Sequence, residues 1–361
     1  MHTKGVGMPQ DNADVAAARL SEQAFKIAGL IILSIRFVQG WIFWGGGSRR
    51  FIYAPQKLDP EASQWMANKL QSAMPGALLG MSDLISFLLH HFYLLYAAII
   101  IFSLAELVSG AALMLGCFTR VSGFITALIS ITLMLIFGWQ GSTCMDEWTM
   151  AVANLAIGLT LALSGSPIYS VDHWLLRRYP RLNKQWWFLS LASGPWSFTT
   201  LRRVSLFYCA FTILFTLSTY NYYRGAIFSS YHPGPVSASQ YHMTLSQGVV
   251  ERNGMVRFNL YVDAGTAAAP SHIIRVELRD ADGTLAETWE AKHLSLLPDK
   301  NIQNEYAYNR IATGGYGLIA PVSAKAFITL PPVKAGLNLS SENYQLYVYT
   351  VSGRRYELEL K

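Results

Sequence analysis

The chain reads as a membrane-embedded all-α bundle of five transmembrane helices followed by an exported, sandwich-like all-β domain. Three observations predict this: 52% hydrophobic against 14% charged residues over 361 positions, a mean hydropathy of +0.26, and a switch to alternating apolar residues after position 225.

The helices come first. Apolar segments at about 26–44, 92–115, 121–138, 148–164 and 204–220 each approach the roughly 20 residues a helix needs to cross hydrocarbon. Residues 1–25 are polar and mixed in charge, and the apolar run after them is too long for a signal peptide and has no small-residue cleavage site. They read as a retained cytoplasmic segment.

Charge sets the orientation. Residues 1–224 hold 16 Lys+Arg against 10 Asp+Glu, whereas 225–361 hold 12 against 12, so the whole excess of +6 lies in the membrane half, 26–224, and its leader. That bias is what lipid head groups and the positive-inside rule produce, and it removes the case for nucleic acid as a partner. The most basic short loop, with Arg177, Arg178, Arg181, Lys184, Arg202 and Arg203, is placed in the cytoplasm. The N-terminus is then cytoplasmic, and the 45–91 loop, the 139–147 loop and the β domain face the periplasm of a bacterial inner membrane. Arg49, Arg50, Lys57 and Lys69 fall on the outer side against this rule. Either that long loop, which also carries Asp59, Glu61 and Asp83, is a poor guide, or those bases bind something.

From 225 to 361 the stretches MVRFNLYVDA, HIIRVELRD, AKAFITLP and YQLYVYTVSGRRYELEL alternate with strand period between ADG, GG and SGR turns. Six to eight strands at this spacing suggest a sandwich, joined to the bundle through SSYHPGPVSAS.

Ionisable residues inside the spans mark the candidate site. Arg36 lies about 15 Å from Lys26 and Glu106 about 13 Å from Leu115 at 1.5 Å rise per residue, so in antiparallel helices the two match in depth. Two charges at one level in hydrocarbon are expected to pair, either as a structural clamp or as a proton acceptor and polar contact for a quinone head group. Asn154 in the fourth span can join by hydrogen bonding.

The loop GWQGSTCMDEW carries Cys144, Asp146, Glu147 and Trp148 at the outer face. A thiol there is either a small buried apolar group or a nucleophile that takes up a sulfur species covalently. Asp146 and Glu147 suit the N-terminal end of the fourth span's dipole, or catalysis. Near them come Trp41, Trp44, a GGG run, Arg49 and Arg50, then His90, His91 and Tyr93. The aromatics suit a membrane interface, while glycines beside two arginines allow close approach of a small oxyanion. Adjacent histidines on a helix point about 100° apart and do not share one metal, although His91 can serve a substrate proton. The three cysteines, Cys117, Cys144 and Cys209, form no CxxC or CxxCH, so no haem, iron–sulfur or zinc site is expected. His242, His272 and His293 are scattered over the β domain.

Arg36, the stretch ELVSGAALMLGCFTRVSGFITALISITLMLI and NLAIGLTLALSG resemble the DoxX/DoxD membrane superfamily with its four-helix core. GSTCMDEW, the fifth span and the β domain look more narrowly like DoxD fused to DoxA, the subunits of thiosulfate:quinone oxidoreductase. The resemblance implies oxidation of thiosulfate to tetrathionate with electrons passed to ubiquinone or another membrane quinone, and marks Arg36, Glu106, Cys144, Asp146, Glu147 and Asn154. On this reading Arg49, Arg50 and His91 meet thiosulfate, Cys144 relays electrons, and Arg36, Glu106, Asn154 and Trp148 meet the quinone. A homo-oligomer or an accessory subunit is compatible with it. The rival is a non-catalytic anchor, presenting the β domain to a periplasmic redox partner or joining a quinol oxidase. A transporter is disfavoured by the few helices and the lack of an inverted repeat.

Overall fold

The computed structural model describes residues 10–141, 146–232, 234, 236–333 and 344–360. Helices α1 (Gln10–Ile31) and α2 (Leu33–Ser48) are followed by α3 (Met66–Ala73), α4 (Met81–Leu89), α5 (Phe92–Leu115), α6 (Thr119–Phe137), α7 (Asp146–Ser164), α8 (Val171–Arg178), α9 (Trp186–Leu191) and α10 (Phe198–Arg224). α5, α6, α7 and α10 are long and apolar enough to cross a membrane. A bent pair, Arg19–Ile31 with Leu33–Tyr53, brings the count to as many as five.

The run expected as one helix over 26–44 is therefore broken. Ile32, with φ of −89° and ψ of 0°, sits at the edge of the right-handed helical region, and the two halves meet at 48°. Just before the break Gly29 lies against the Pro167 ring, where a methyl group would fall 2.5 Å from Cγ.

The chain divides into two compact units, the first comprising Met1–Pro55, Ile100–Thr132 and Met150–Thr219. Within it small residues let helices touch backbone to backbone, the usual device where lipid supplies no hydrophobic drive. A methyl at Gly40 would sit 2.8 Å from the Gly110 carbonyl, and one at Gly47 2.6 Å from the Leu107 nitrogen. Gly123 and Gly158 play the same part between α6 and α7, each 2.8 Å from the other's carbonyl by the same measure. At Gly110 a methyl would overlap the Trp44 nitrogen. Gly110→Ala is thus expected to cost about 1–3 kcal/mol or more by overpacking, seen as a lower thermal midpoint in detergent. Gly45→Ala, where the space is open, should leave the midpoint unchanged.

The second unit comprises Gln56–Ile99, Leu133–Thr149 and Tyr220–Lys361. Its strands are β1 (His242–Val250), β2 (Val256–Ala264), β3 (Ser271–Asp280), β4 (Leu285–Glu290), then α11 (Ala291–Ser295), β5 (Ile302–Asn304), β6 (Ala312–Gly314), β7 (Gly317–Ala320), β8 (Lys325–Leu330), β9 (Tyr344–Thr350) and β10 (Arg355–Leu360). One sheet runs β1-β2-β8-β5 and the other β10-β9-β3-β7-β6, with β4 also on β3. Both sheets feed one core, including Phe258, Leu260 and Ile328 from the first and Val276, Leu278, Leu346 and Val348 from the second. That is a sandwich. Among the described residues it has ten strands rather than six to eight, because three-residue strands such as β5 and β6 are too short to show a period.

The β sandwich does not stand alone. The Gln71 amide of α3 donates to the carbonyls of Asn309 (3.0 Å) and Ser323 (3.1 Å) and accepts from the Asn309 backbone amide. Asn309 in turn donates to the Asn68 carbonyl, and Ser86 of α4 bonds Tyr306. Tyr306 also packs into an apolar cluster with Trp65, Ile85, Leu89, Leu95 and Phe137. The loop expected at 45–91 is thus a helical platform on which the sandwich sits.

Candidate functional site

The polar residues of the first unit fall into three groups placed along α2. Arg36, Gln39 and Arg50 recur at helical spacing on the buried side of this helix or just beyond it. After Ser48 the backbone widens to a π turn over Arg49–Tyr53, which leaves Arg49 exposed and carries Arg50 inward.

Arg50 forms a salt bridge with Glu106 of α5, their side chains only 13% and 7% exposed. Gly46 permits it: a methyl there would lie 3.1 Å from Glu106 Oε2. The expected pairing of Arg36 with Glu106 is therefore wrong. Arg36 sits at the level of Gly116, ten residues or about 15 Å further along α5. The break at Ile32 displaces the helix start from which its depth was reckoned, and the residue that reaches Glu106 is Arg50. Arg50 is accordingly committed to a carboxylate, and Arg49 is the exposed base of that pair.

Arg36 serves the opposite end of α2. It donates to Ser166 Oγ and to the Tyr169 carbonyl (2.9 Å). Beside it Asp172, fully buried, accepts from the backbone amides of Phe118 (2.7 Å) and Thr119 (3.1 Å) and from the hydroxyls of Thr119 (3.2 Å) and Ser193 (2.6 Å). A carboxylate at the start of α6 also meets the positive end of its dipole. Arg120 completes the cluster through the Leu189 carbonyl (3.2 Å), with its guanidinium 4.1 Å from the Trp196 ring centre. Burial, and then the Asp172 charge, push the Cys117 thiol up. Neither Asp172 nor Arg120 is a candidate site residue on the sequence alone; Arg120 reads there only as a base at the cytoplasmic entry of the third span. The signal for Asp172 is the capping serine two residues before it, Ser170, which accepts from the His173 amide.

Between these ends Gln39 donates to the Asn154 carbonyl at 3.0 Å, so α2 and α7 are bridged in the interior. Glu147 is half-buried near the start of α7. Trp148 belongs to the second unit, where its ring stands 5.2 Å from Tyr220. His90 and His91 are exposed, and each ring nitrogen turns back to the carbonyl four residues earlier. Cys144 and the side chain of Asp146 lie outside the described residues. The loop holding Cys144 is entered from Trp139 and Gln140, which donate to the Ala73 and Ser72 carbonyls of α3. In the β domain His242 pairs with Asp263 at 2.6 Å and His293 caps α11, both surface roles. Among the described residues no three His, Cys, Asp or Glu side chains converge as metal ligands would.

A bundle of membrane-length helices holding buried charge pairs, followed by a two-sheet domain, defines a polytopic membrane protein with an appended β sandwich. The chain belongs to the DoxD family: residues 31–214 match the family described as TQO small subunit DoxD. Residues 238–359 match TQO small subunit DoxA, so the two families are joined here in one polypeptide.

Proposed function

We propose that the protein is a thiosulfate:quinone oxidoreductase of the bacterial inner membrane, oxidising thiosulfate to tetrathionate and passing the electrons to a membrane quinone. The observation that carries this reading is the succession of DoxD and DoxA matches in a single chain. The balance is two thiosulfates, one quinone and two protons giving one tetrathionate and one quinol. The chain must therefore attract a divalent anion at the membrane surface and hold a neutral ring within it.

Arg49, exposed within the π turn, is the base that draws in thiosulfate. The Cys144 thiolate, in the loop that also carries Asp146 and Glu147, forms Cys–S–S–SO3⁻ with one thiosulfate as two electrons pass to the quinone, and the second thiosulfate then displaces the Cys144 thiolate to release tetrathionate. Glu106 handles protons for the quinone, its charge balanced by Arg50. Asn154 contributes to the quinone's surroundings. Packing of α3 and α4 with the sandwich in one unit supports a common side for these two parts, the periplasm.

Two variants test the assignment. Arg49→Ala should raise the KM for thiosulfate about tenfold, the scale of one lost charge contact of 1.4 kcal/mol, with the quinone KM unchanged. Cys144→Ser should abolish turnover; full activity in that variant rules out the covalent route. If the purified chain binds neither thiosulfate nor quinone, the anchoring role replaces this one.

A further inference from the structure

The connection between α7 and α10 leaves one membrane-length helix and enters the next, so residues 165–197 lie at a single surface of the membrane. Its hydrogen bonds hold it in one shape. Ser170 caps α8 through the His173 amide, Asp172 accepts from the Phe118 and Thr119 amides, and the Asn183 side chain donates to the Leu176 carbonyl at 3.2 Å. Further along, Phe188 is buried with its ring 5.5 Å from that of Phe118, and Arg120 holds the Leu189 carbonyl. Both ends of the segment are thus clamped to the start of α6.

The outward side of this segment is basic and aromatic. Residues 165–203 contain six bases, Arg177, Arg178, Arg181, Lys184, Arg202 and Arg203, all exposed, and one acid, Asp172, which is buried. Among the described residues the salt bridges of the first unit join Lys26 to Glu22 and Arg50 to Glu106, and none involves these six. On α8, Trp174, Arg177 and Arg178 recur at intervals of three and four residues, hence on one face. Trp174 is 58% and Tyr179 49% exposed; their rings meet edge to face at 6.5 Å, and the Arg178 guanidinium lies over Tyr179 at 5.6 Å. Aromatic rings held outward beside cations, at the end of the spans, suit the zone where acyl chains give way to head groups.

We propose that Trp174, Arg177, Arg178 and Tyr179 form a seat for an anionic phospholipid of the adjoining leaflet. The lipid phosphodiester accepts from the Arg177 and Arg178 guanidiniums, and the glycerol and first acyl carbons lie against the Trp174 and Tyr179 rings. Stacking on a ring leaves the N–H edge of a guanidinium able to take a phosphate oxygen. Charge complementarity selects this occupant. A second copy of the chain would bring the same six bases to the contact and be repelled, and a zwitterionic lipid would carry its own ammonium towards them. Because the segment is ordered before anything binds, little freedom is lost on binding. None of these four residues takes part in the oxidation proposed above; the seat fixes how this end of the bundle sits in its leaflet.

The test uses the full-length protein in detergent, titrated with phosphatidylglycerol or with phosphatidylcholine of the same acyl chains and read by native mass spectrometry. The wild type should hold phosphatidylglycerol about tenfold more tightly, the scale of one or two bases at an anionic surface. Arg177→Gln combined with Arg178→Gln should abolish that preference and leave phosphatidylcholine binding unchanged, while Trp174→Ala should weaken both lipids together. Arg202→Gln combined with Arg203→Gln, which removes equal charge from α10, should keep the preference. Equal affinity of the wild type for the two lipids, or a preference that survives the loss of Arg177 and Arg178, would overturn the proposal. So would an equal loss in both double variants, which marks a diffuse field, or displacement of the lipid by excess inorganic phosphate, which marks a site for a free anion.

Discussion

Arg50→Met is expected to destabilise the protein by about 3–5 kcal/mol, since removing one partner of a buried ion pair strands the other charge. Glu106 would then sit in the bundle without its guanidinium, pressed against α2 at Gly46. The double variant Arg50→Met with Glu106→Met should recover most of that loss, because two apolar side chains of similar volume carry no stranded charge. Thermal unfolding of the four proteins of this cycle in one detergent reads the coupling directly; additive losses would show that the pair is not coupled. Glu106→Gln keeps an oxygen for Arg50 but leaves the guanidinium without its countercharge, so its turnover is compared below its own thermal midpoint. On the proposed role in proton transfer it should lower kcat by about 10²–10⁴-fold while the protein still folds and binds thiosulfate.

Asp172→Ala is the second large effect. The carboxylate answers four donors at the junction of α6, α8 and the segment of Ser193, and it is the countercharge facing both Arg36 and Arg120. Its removal leaves buried amides without acceptors, at about 1–3 kcal/mol each, so a loss of several kcal/mol is expected. Asp172→Asn keeps one acceptor oxygen and should fall between the two. Equal midpoints for wild type and the alanine variant would contradict this account of the cluster.

The architecture was legible because membrane spans and strands are written in composition and period. Phe92–Leu115 reads as one apolar stretch with Glu106 as its one charged residue, and β9 alternates buried and half-buried residues from Tyr344 to Thr350 without a slip. The buried charges were legible as a class, since Arg36 and Glu106 stand out in apolar surroundings. Their partners were not. Sequence places depth only by counting from helix ends, and a kink at Ile32 or a π turn at Arg49–Tyr53 re-aims a side chain without leaving a mark in hydropathy. Gln39 is inconspicuous for a related reason: a single amide in a span carries no local mark of its bridge to the Asn154 carbonyl of α7. The docking of Gln71 and Ser86 on the sandwich is a contact across more than 200 positions, which no local period encodes.

The most direct measurement of the central claim is the product balance of the purified chain in liposomes carrying ubiquinone, with thiosulfate added outside. The account predicts one quinol formed for each tetrathionate, with no other protein present. Quinol formation that does not follow tetrathionate, or no product from a folded and correctly oriented chain, would contradict it.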